Sequence, residues 1–328
     1  MTSPQVLLTS VFLHPGDEVD VMLRDAGCTT RHAPLTGSRS EEELVELLTG
    51  VDAVIAASDP FTASVLAAAP ALRVIARTGV GFDAIDVDAA TERGIVVCNA
   101  PGVNRQSVAE LTLAFLLMCA RHINPVVTDV RSGGWGRPSG TELAGTTLGV
   151  IGLGAIGRAV AQLATAFGMR VLAHDKLIDN VYADQHGIEA VPLEQLLSSS
   201  DFVSLHLFLG PETHHLINAE RLAMMKPTAY LINTSRGPIV DEAALVEALR
   251  TNVIAGAALD VVEQEPLAPD AAIRTLPNVV LTPHIGGSTR QARDRSGLIA
   301  AHSVIKVLRG ELPDNAVNEP RAMGYQRV

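Results

Sequence analysis

The chain has 328 residues, of which 47% are apolar and only 3% aromatic, and its formal net charge is −11. That length suffices for two domains, each able to bury a core packed chiefly with Ala, Val, Leu and Ile. The acidic balance argues against nucleic acid or an anionic membrane as the main partner, so an anionic small molecule must be held by a local cluster of Arg and His. Cys28, Cys98 and Cys119 are widely spaced and odd in number; they read as reduced core thiols of a cytoplasmic protein rather than a disulfide framework or a metal site. No basic segment followed by a long apolar stretch opens the chain, so no signal peptide is expected. The longest apolar segment, 111–120, falls short of the roughly 20 residues that span a bilayer and reads as a buried helix.

In chain order, residues 5–10 read as a first strand and 17–26 as a helix. Ser40 and Glu43 have the spacing of a capping box ahead of Leu44, Leu47 and Leu48. Strands follow at 53–57 and 73–77, with a helix at 62–69 between them, then a short helix at 88–93 and a strand at 94–98. Such alternation implies a parallel sheet covered on both faces. Asn99-Ala100-Pro101-Gly102 is a turn cluster and marks a domain boundary. Asn104 is placed to cap a long helix reaching Arg121, and 132–138 is a Gly-rich loop.

Residues 146–175 carry the strongest local pattern. An apolar run at 148–151 reads as a buried strand, and Gly152, Gly154 and Gly157 follow in G-x-G-x-x-G spacing. Ile156, Val160, Leu163 and Phe167 then recur at helical spacing, and a second strand at 169–173 leads to Asp175. In this strand–turn–helix–strand context the first glycine permits the tight turn, the second lets backbone approach a pyrophosphate, and the third lets helix and strand pack closely. The N–H groups of Ala155 and Ile156 open the helix, where an anion is favoured. Asp175 lies where a carboxylate accepts from both ribose hydroxyls of NAD and repels the 2′-phosphate of NADP. The neighbouring His174 and Lys176 work against that preference.

Further strands are expected at 202–206, 229–233, 255–259 and 279–281, each followed by polar residues. Ser288 and Gln291 form a second candidate capping box, and a long helix runs to Arg309, where Gly310 and Pro313 stop it. The chain also echoes itself. A leucine-rich helix leading to a strand at 44–54 has the same internal spacing as one at 193–203, and Arg77 and Arg236 each follow a later apolar strand. This suggests two similar α/β domains.

Three strand ends carry candidate chemistry. Asn233-Thr234-Ser235-Arg236-Gly237 offers a guanidinium fork able to grip a carboxylate through two parallel hydrogen bonds. Leu259-Asp260-Val261-Val262-Glu263-Gln264-Glu265-Pro266 holds two glutamates, and Thr282-Pro283-His284-Ile285-Gly286-Gly287 places a histidine after a strand. A histidine exchanges protons near neutral pH, and a buried carboxylate beside it fixes its tautomer.

Together with the fingerprint and with Arg77-Thr78-Gly79-Val80-Gly81-Phe82-Asp83, these segments resemble the D-isomer-specific 2-hydroxyacid dehydrogenases from about Arg73 to Leu308. The likeness is strongest to the D-3-phosphoglycerate dehydrogenase branch and the related hydroxypyruvate and glyoxylate reductases. The resemblance implies two doubly wound parallel-sheet domains with a cleft between them. One is a flavodoxin-like substrate domain (1–101 and 288–328), the other a Rossmann NAD-binding domain (102–287). It implies hydride transfer between NAD and a small D-2-hydroxy or 2-oxo acid, in a homodimer joined through the cofactor domains. Arg236 is then expected to bind the substrate carboxylate, His284 to exchange the proton, and Glu265 to pair with His284. Cofactor contacts are implied at Gly152, Gly154, Ala155, Ile156, Gly157, Asp175, His206, Thr234, Ser235, Asp260 and Gly286, and substrate contacts at Arg77, Val80 and Gly81 as well as Arg236 and His284.

Two departures stand out. His206-Leu207-Phe208 stands where the family often has His-x-Pro, which bears on the adenine pocket wall. Asp59 stands near the position of a phosphate-binding arginine of phosphoglycerate dehydrogenases, with Arg77 and Arg137 as the alternative cations, which favours an unphosphorylated substrate. Two other readings compete with a small-acid dehydrogenase: a D-3-phosphoglycerate dehydrogenase proper, and an NAD-sensing binding protein like the C-terminal-binding corepressors. A formate dehydrogenase-type donor is disfavoured, because that group has glutamine where Glu265 stands.

Overall fold

The alternation of short apolar runs with helices folds into two parallel sheets. This computed structural model describes residues 3–320 and the backbone of the strand Gln326–Arg327. The chain divides into unit 1, Met1–Asn104 with Ser288–Val328, and unit 2, Arg105–Gly287. Unit 1 holds β1 (Gln5–Leu8), β2 (Thr29–His32), β3 (Ala53–Ala56), β4 (Val74–Arg77) and β5 (Val96–Cys98), in the order β2-β1-β3-β4-β5. Unit 2 holds β6 (Thr147–Ile151), β7 (Arg170–His174), β8 (Ile188–Ala190), β9 (Phe202–Leu205), β10 (Tyr230–Asn233), β11 (Gly256–Leu259) and β12 (Val279–Leu281), in the order β12-β11-β10-β9-β6-β7-β8.

Parallel pairing forces each connection to cross over the sheet, and helices make most of the crossings. Both faces are therefore apolar. Val6 and Leu8 of β1 join one cluster of unit 1 while Leu7 joins the other. Leu148 and Val150 of β6 likewise face away from Ile151. Each such side chain, fully buried, contributes about 1.5–3 kcal/mol. The chain order reverses beside β1 in unit 1 and beside β6 in unit 2, which gives each sheet a switch point where ligands of such folds gather.

The internal echo has a topological counterpart. β3 and β9 both lie beside the first strand of their unit, and β4 and β10 lie next to them in turn. The helices Glu41–Leu48 and Leu193–Ser199 precede β3 and β9 at the expected spacing.

Helix ends follow the cap chemistry with two corrections. Ser40 and Glu43 form the expected reciprocal box. The helix Arg290–Leu308, however, is capped one residue late: Thr289 Oγ1 accepts from the Ala292 N–H, so the box expected of Ser288 and Gln291 does not form. Asn104 does not cap the helix Arg105–Ala120 through its side-chain oxygen, which is buried without a partner among the described residues. The sequence reading missed β2 and β8. Both are edge strands, half covered, and their polar residues hide them from a search for apolar runs. It also missed the helix Ile123–Arg131.

Beyond the long helix the chain returns to β5. Asn318 accepts the Val97 N–H and donates to Ile95 O, so the tail pairs with that edge strand. The three cysteines are free and buried, and burial pushes the thiols of Cys98 and Cys119 up to about 12. Among the described residues no single helix is long and apolar enough to cross a membrane, and no group of His, Cys, Asp and Glu is arranged to hold a metal ion.

Candidate active site

In unit 2 the sequence-predicted residues collect at the C-terminal ends of the strands. Gly152 follows β6 with φ 96, a left-handed conformation that glycine adopts without strain, and a Cβ there would lie 2.4 Å from His206 O. A Cβ on Gly157 would lie 2.0 Å from Gly152 O, so the helix Ala155–Ala166 packs onto the turn only because that residue is glycine. Gly154 is different: a Cβ there meets nothing within 4 Å, and the residue caps the helix with no side-chain bond. The first-turn N–H groups at Ala155 and Ile156 therefore face open space beside bare backbone, a cradle that fits the pyrophosphate of NAD.

Asp175 is fixed at the same turn. Its Oδ2 accepts the Leu153 N–H at 2.7 Å and its Oδ1 the Leu177 N–H at 3.0 Å. Each oxygen keeps a second acceptor site for a ribose hydroxyl. The two basic neighbours are engaged elsewhere: Lys176 Nζ lies 2.7 Å from Glu212, and His174 Nδ1 lies 3.1 Å from Val191 O. After β9, His206 Nε2 lies 2.9 Å from Ser204 Oγ, while its Nδ1 is buried with no partner. Burial pushes the ring down to about 3, so it is neutral. Phe208 is 74% exposed.

The residues after β10 are held by a local network. Asn233 Oδ1 accepts from the Ser235 N–H and Oγ–H at 3.0 and 2.8 Å, and its Nδ2 donates to Arg236 O at 2.9 Å. Thr234 Oγ1 lies 3.0 Å from Thr112 Oγ1 on the buried face of the helix Arg105–Ala120. A Cβ on Gly237 would lie 1.8 Å from Val262 O, so the Arg236 loop stacks closely on the loop after β11.

Asp260 organises the histidine loop. It is 1% exposed; its Oδ1 accepts from Thr282 Oγ1 at 2.5 Å and the Ile285 N–H at 2.8 Å, and its Oδ2 from the Gly286 N–H at 2.7 Å. Its backbone oxygen accepts the His284 N–H at 2.8 Å. These bonds hold His284 at φ 54, where a non-glycine residue is strained by about 1–3 kcal/mol. His284 Nδ1 lies 2.7 Å from Glu265 Oε2, and its Nε2 has no partner among the described residues. An ionised Glu265 accepts the Nδ1 proton, which leaves Nε2 as the nitrogen available for proton exchange.

Burial alone would raise the Glu265 pKa. The bond and charge of His284, the Val262 N–H and the charge of Arg236 outweigh it, and the carboxyl sits below its ordinary value. Glu265 thus contacts His284 and senses the charge of Arg236, and Asp260 binds the loop that carries His284. The expected buried carboxylate is half-buried instead, at 38% exposure beside a 49% exposed His284, because the couple stands at the surface of its unit.

The unit 1 candidates form their own group. Arg77 Nε donates to Gly81 O at 3.0 Å, Ala100 N–H to Gly79 O at 2.9 Å and Asn99 Nδ2 to Val80 O at 2.7 Å. The loop carbonyls are tied down, whereas the Val80 and Gly81 N–H groups have no partner among the described residues. Asp59 corrects the electrostatic expectation. It is fully buried, pairs with Arg39 and accepts from Thr9 Oγ1 at 2.5 Å, so it presents no charge that would repel a ligand phosphate. Thr112 and Thr282 escaped the sequence reading. The only signal for Thr112 is a hydroxyl inside an apolar helix, and Thr282 lies within the histidine motif, where attention falls on His284.

A glycine cradle, an acid fixed beside it and an imidazole–carboxylate couple near an arginine define an NAD-binding oxidoreductase. A family model described as "D-isomer specific 2-hydroxyacid dehydrogenase, NAD binding domain" matches residues 113–286. A glyoxylate reductase of Korarchaeum cryptofilum is 45% identical over 298 residues, 88% of this chain and 90% of that one. A D-3-phosphoglycerate dehydrogenase of Methanocaldococcus jannaschii is 45% identical over 285 residues, 86% of this chain but 54% of that one. The crystal structure of a D-lactate dehydrogenase from Aquifex aeolicus, complexed with NAD and lactic acid, aligns with TM-score 0.84 and 33% identity over 96% of this chain and 99% of that one. The chain belongs to the D-isomer-specific 2-hydroxyacid dehydrogenases and is an NAD-dependent oxidoreductase.

Proposed function

We propose that this dehydrogenase interconverts a small, unphosphorylated D-2-hydroxy acid and its 2-oxo acid, of glyoxylate or hydroxypyruvate size. The observation that carries the reading is the 2.7 Å bond between His284 Nδ1 and Glu265, a carboxylate that also senses the charge of Arg236, which leaves Nε2 for proton exchange. NAD, when bound, supplies the hydride chemistry at the substrate C2. Arg236 grips the substrate carboxylate and orients the carbonyl. His284 Nε2 gives a proton to the carbonyl oxygen during reduction and takes one from the hydroxyl during oxidation. Glu265 holds the Nδ1 proton and stabilises the imidazolium. Asp260 fixes the loop and has acceptor capacity left at Oδ2 for the carboxamide end of the cofactor, with Thr234, Ser235, His206 and Gly286 lining its path. In unit 1, Arg77 donates to Gly81 O and shapes the loop that carries the Val80 and Gly81 N–H groups.

The unphosphorylated class rests on cations already committed: Arg39 to Asp59, and Arg77 to Gly81 O. A phosphorylated substrate is the second reading, favoured by the neutralisation of Asp59 and by the phosphoglycerate dehydrogenase likeness. One panel decides. NADH oxidation is followed with glyoxylate, hydroxypyruvate, pyruvate, longer 2-oxo acids and phosphohydroxypyruvate; a kcat/KM highest for the last overturns the unphosphorylated class.

We also place the protein in the cytoplasm, on its buried free thiols, and propose a homodimer through unit 2. The helix Ile123–Arg131 buries none of its residues, and Ile123, Val127 and Val130 at helical spacing are each more than 40% exposed, followed by Trp135 at 74%. Sedimentation of Val127→Asp, expected to dissociate, checks the dimer.

A further inference from the structure

A second histidine–glutamate pair uses a glutamate two residues before that of the first. His215, in the loop after β9, has its Nε2 2.8 Å from Glu263 Oε1. Its backbone adopts φ 49, a left-handed conformation shared by only three other non-glycine residues among those described, His284 among them. A residue held in that region at a cost persists when its side chain is needed there. The stacked His214 ring, 4.0 Å away, further fixes the imidazole.

The pair joins the two loops that carry the candidate chemistry. On one side, the His215 N–H donates to Pro238 O at 2.8 Å, two residues beyond Arg236, and Ile217 exchanges backbone bonds with Ile239 and Asp241 at 3.0 Å each. On the other, Glu263 Oε2 accepts the Glu242 N–H at 3.3 Å while the Glu263 N–H donates to Glu242 Oε2 at 3.0 Å. Glu263 is thus tied at three points, once to His215 in the loop after β9 and twice to Glu242, the first residue of the helix Glu242–Arg250. Glu265 stands two residues further on, where it must meet both His284 and the charge of Arg236.

We propose that His215 and Glu263 are positioning residues that hold the Glu265 loop in register with Arg236 and His284. Neither touches the reacting atoms. Loosening the clamp lets Glu265 drift from His284 and Arg236, and its pKa then climbs toward the ordinary glutamate value. The inference rests on the proposed roles of Glu265 and His284.

The test uses His215→Gly, because glycine accepts φ 49 without strain and the change removes the imidazole, with its bridge to Glu263 and its stack on His214. Glu263→Gln keeps hydrogen-bonding capacity, and Glu263→Ala removes it. For reduction of glyoxylate and hydroxypyruvate by NADH, His215→Gly and Glu263→Ala are expected to lower kcat/KM by about 10-fold, the scale of one lost hydrogen bond to a charged group. The acid limb of the pH profile is expected to move upward, with Tm within a few degrees of the parent, and Glu263→Gln to recover most of the rate. A His215→Gly protein with parental kcat/KM and an unmoved acid limb overturns the proposal. Glu265→Gln, measured alongside, separates the two layers: if it retains full activity, the role of Glu265 itself fails, whereas an impaired Glu265→Gln beside a parental His215→Gly sinks only the clamp. Should His215→Gly unfold, His215→Asn, which tolerates the left-handed region, is read against the same criteria.

Discussion

At the ends of β1, β3 and β4, Thr9, Asp59 and Thr78 are matched within unit 1: Asp59 with Thr9 and Arg39, Thr78 with Ser10. At the ends of β10, β11 and β12, Glu265 bonds His284 and senses the charge of Arg236, while His284 Nε2 has no partner among the described residues. Polar residues thus gather at the strand ends of both parallel sheets. Where every donor and acceptor is satisfied inside the protein, the cluster stabilises the fold. Where one nitrogen is left over beside a charged fork, the cluster is equipped to act on something else. Burial follows the same division, since Asp59 is 0% exposed and His284 about half.

The sharpest way to break this contrast is to remove one member from each side. His284→Ala is expected to lower kcat by about 10²–10⁴-fold, the usual worth of general acid–base catalysis, with NADH affinity by fluorescence titration nearly unchanged. Asp59→Ala should do the reverse. It leaves the buried Arg39 charge unpaired, at about 3–5 kcal/mol of stability in a urea melt, while kcat per folded molecule changes little. If Asp59→Ala instead abolished turnover in a fully folded protein, the division into structural and chemical clusters would fall.

Arg236→Ala is expected to cost about 10² in kcat/KM, chiefly as lost saturation by the 2-oxo acid, because a charge-assisted contact disappears; a retained low KM contradicts the assignment. Asp175→Ala should narrow the preference for NADH over NADPH by about 10-fold, the scale of hydrogen bonds to a charged group, in side-by-side kinetics.

The pH response sharpens the comparison further. Asp20 in unit 1 is buried, which would raise its pKa, but bonds from Thr30, the Gly16 N–H, His32 and Arg24 hold it well below the usual carboxylate range. A depressed carboxylate contributes stability above its unfolded pKa of about 3.9 and loses it as the pH falls toward the folded value. The stability gap between the parent and Asp20→Asn is therefore expected to be full at neutral pH and to shrink below about pH 4, as read by melts across pH. Glu265 is shifted in the same direction, so the rate of reduction should show no loss from its protonation until the pH falls below the ordinary glutamate range.

Much of this was legible along the chain. The G-x-G-x-x-G spacing before a helical repeat dictates the turn, because only glycine tolerates φ 96 at Gly152 and the contact of Gly157 with Gly152 O. The apolar runs dictate strands buried on both faces, and Ser40 with Glu43 dictates a helix start. Those are local consequences of covalent geometry and of side chains within a few residues of one another. The pairing of Glu265 with His284 was legible only through the family resemblance, and tertiary structure alone decided that His215 takes Glu263 and that Asp59 faces Arg39. It also decided that Thr289 displaces Ser288 as the cap. Partner choice among like charges depends on which strand ends the sheet order sets side by side, and residues 19 to 48 positions apart carry no local mark of that proximity.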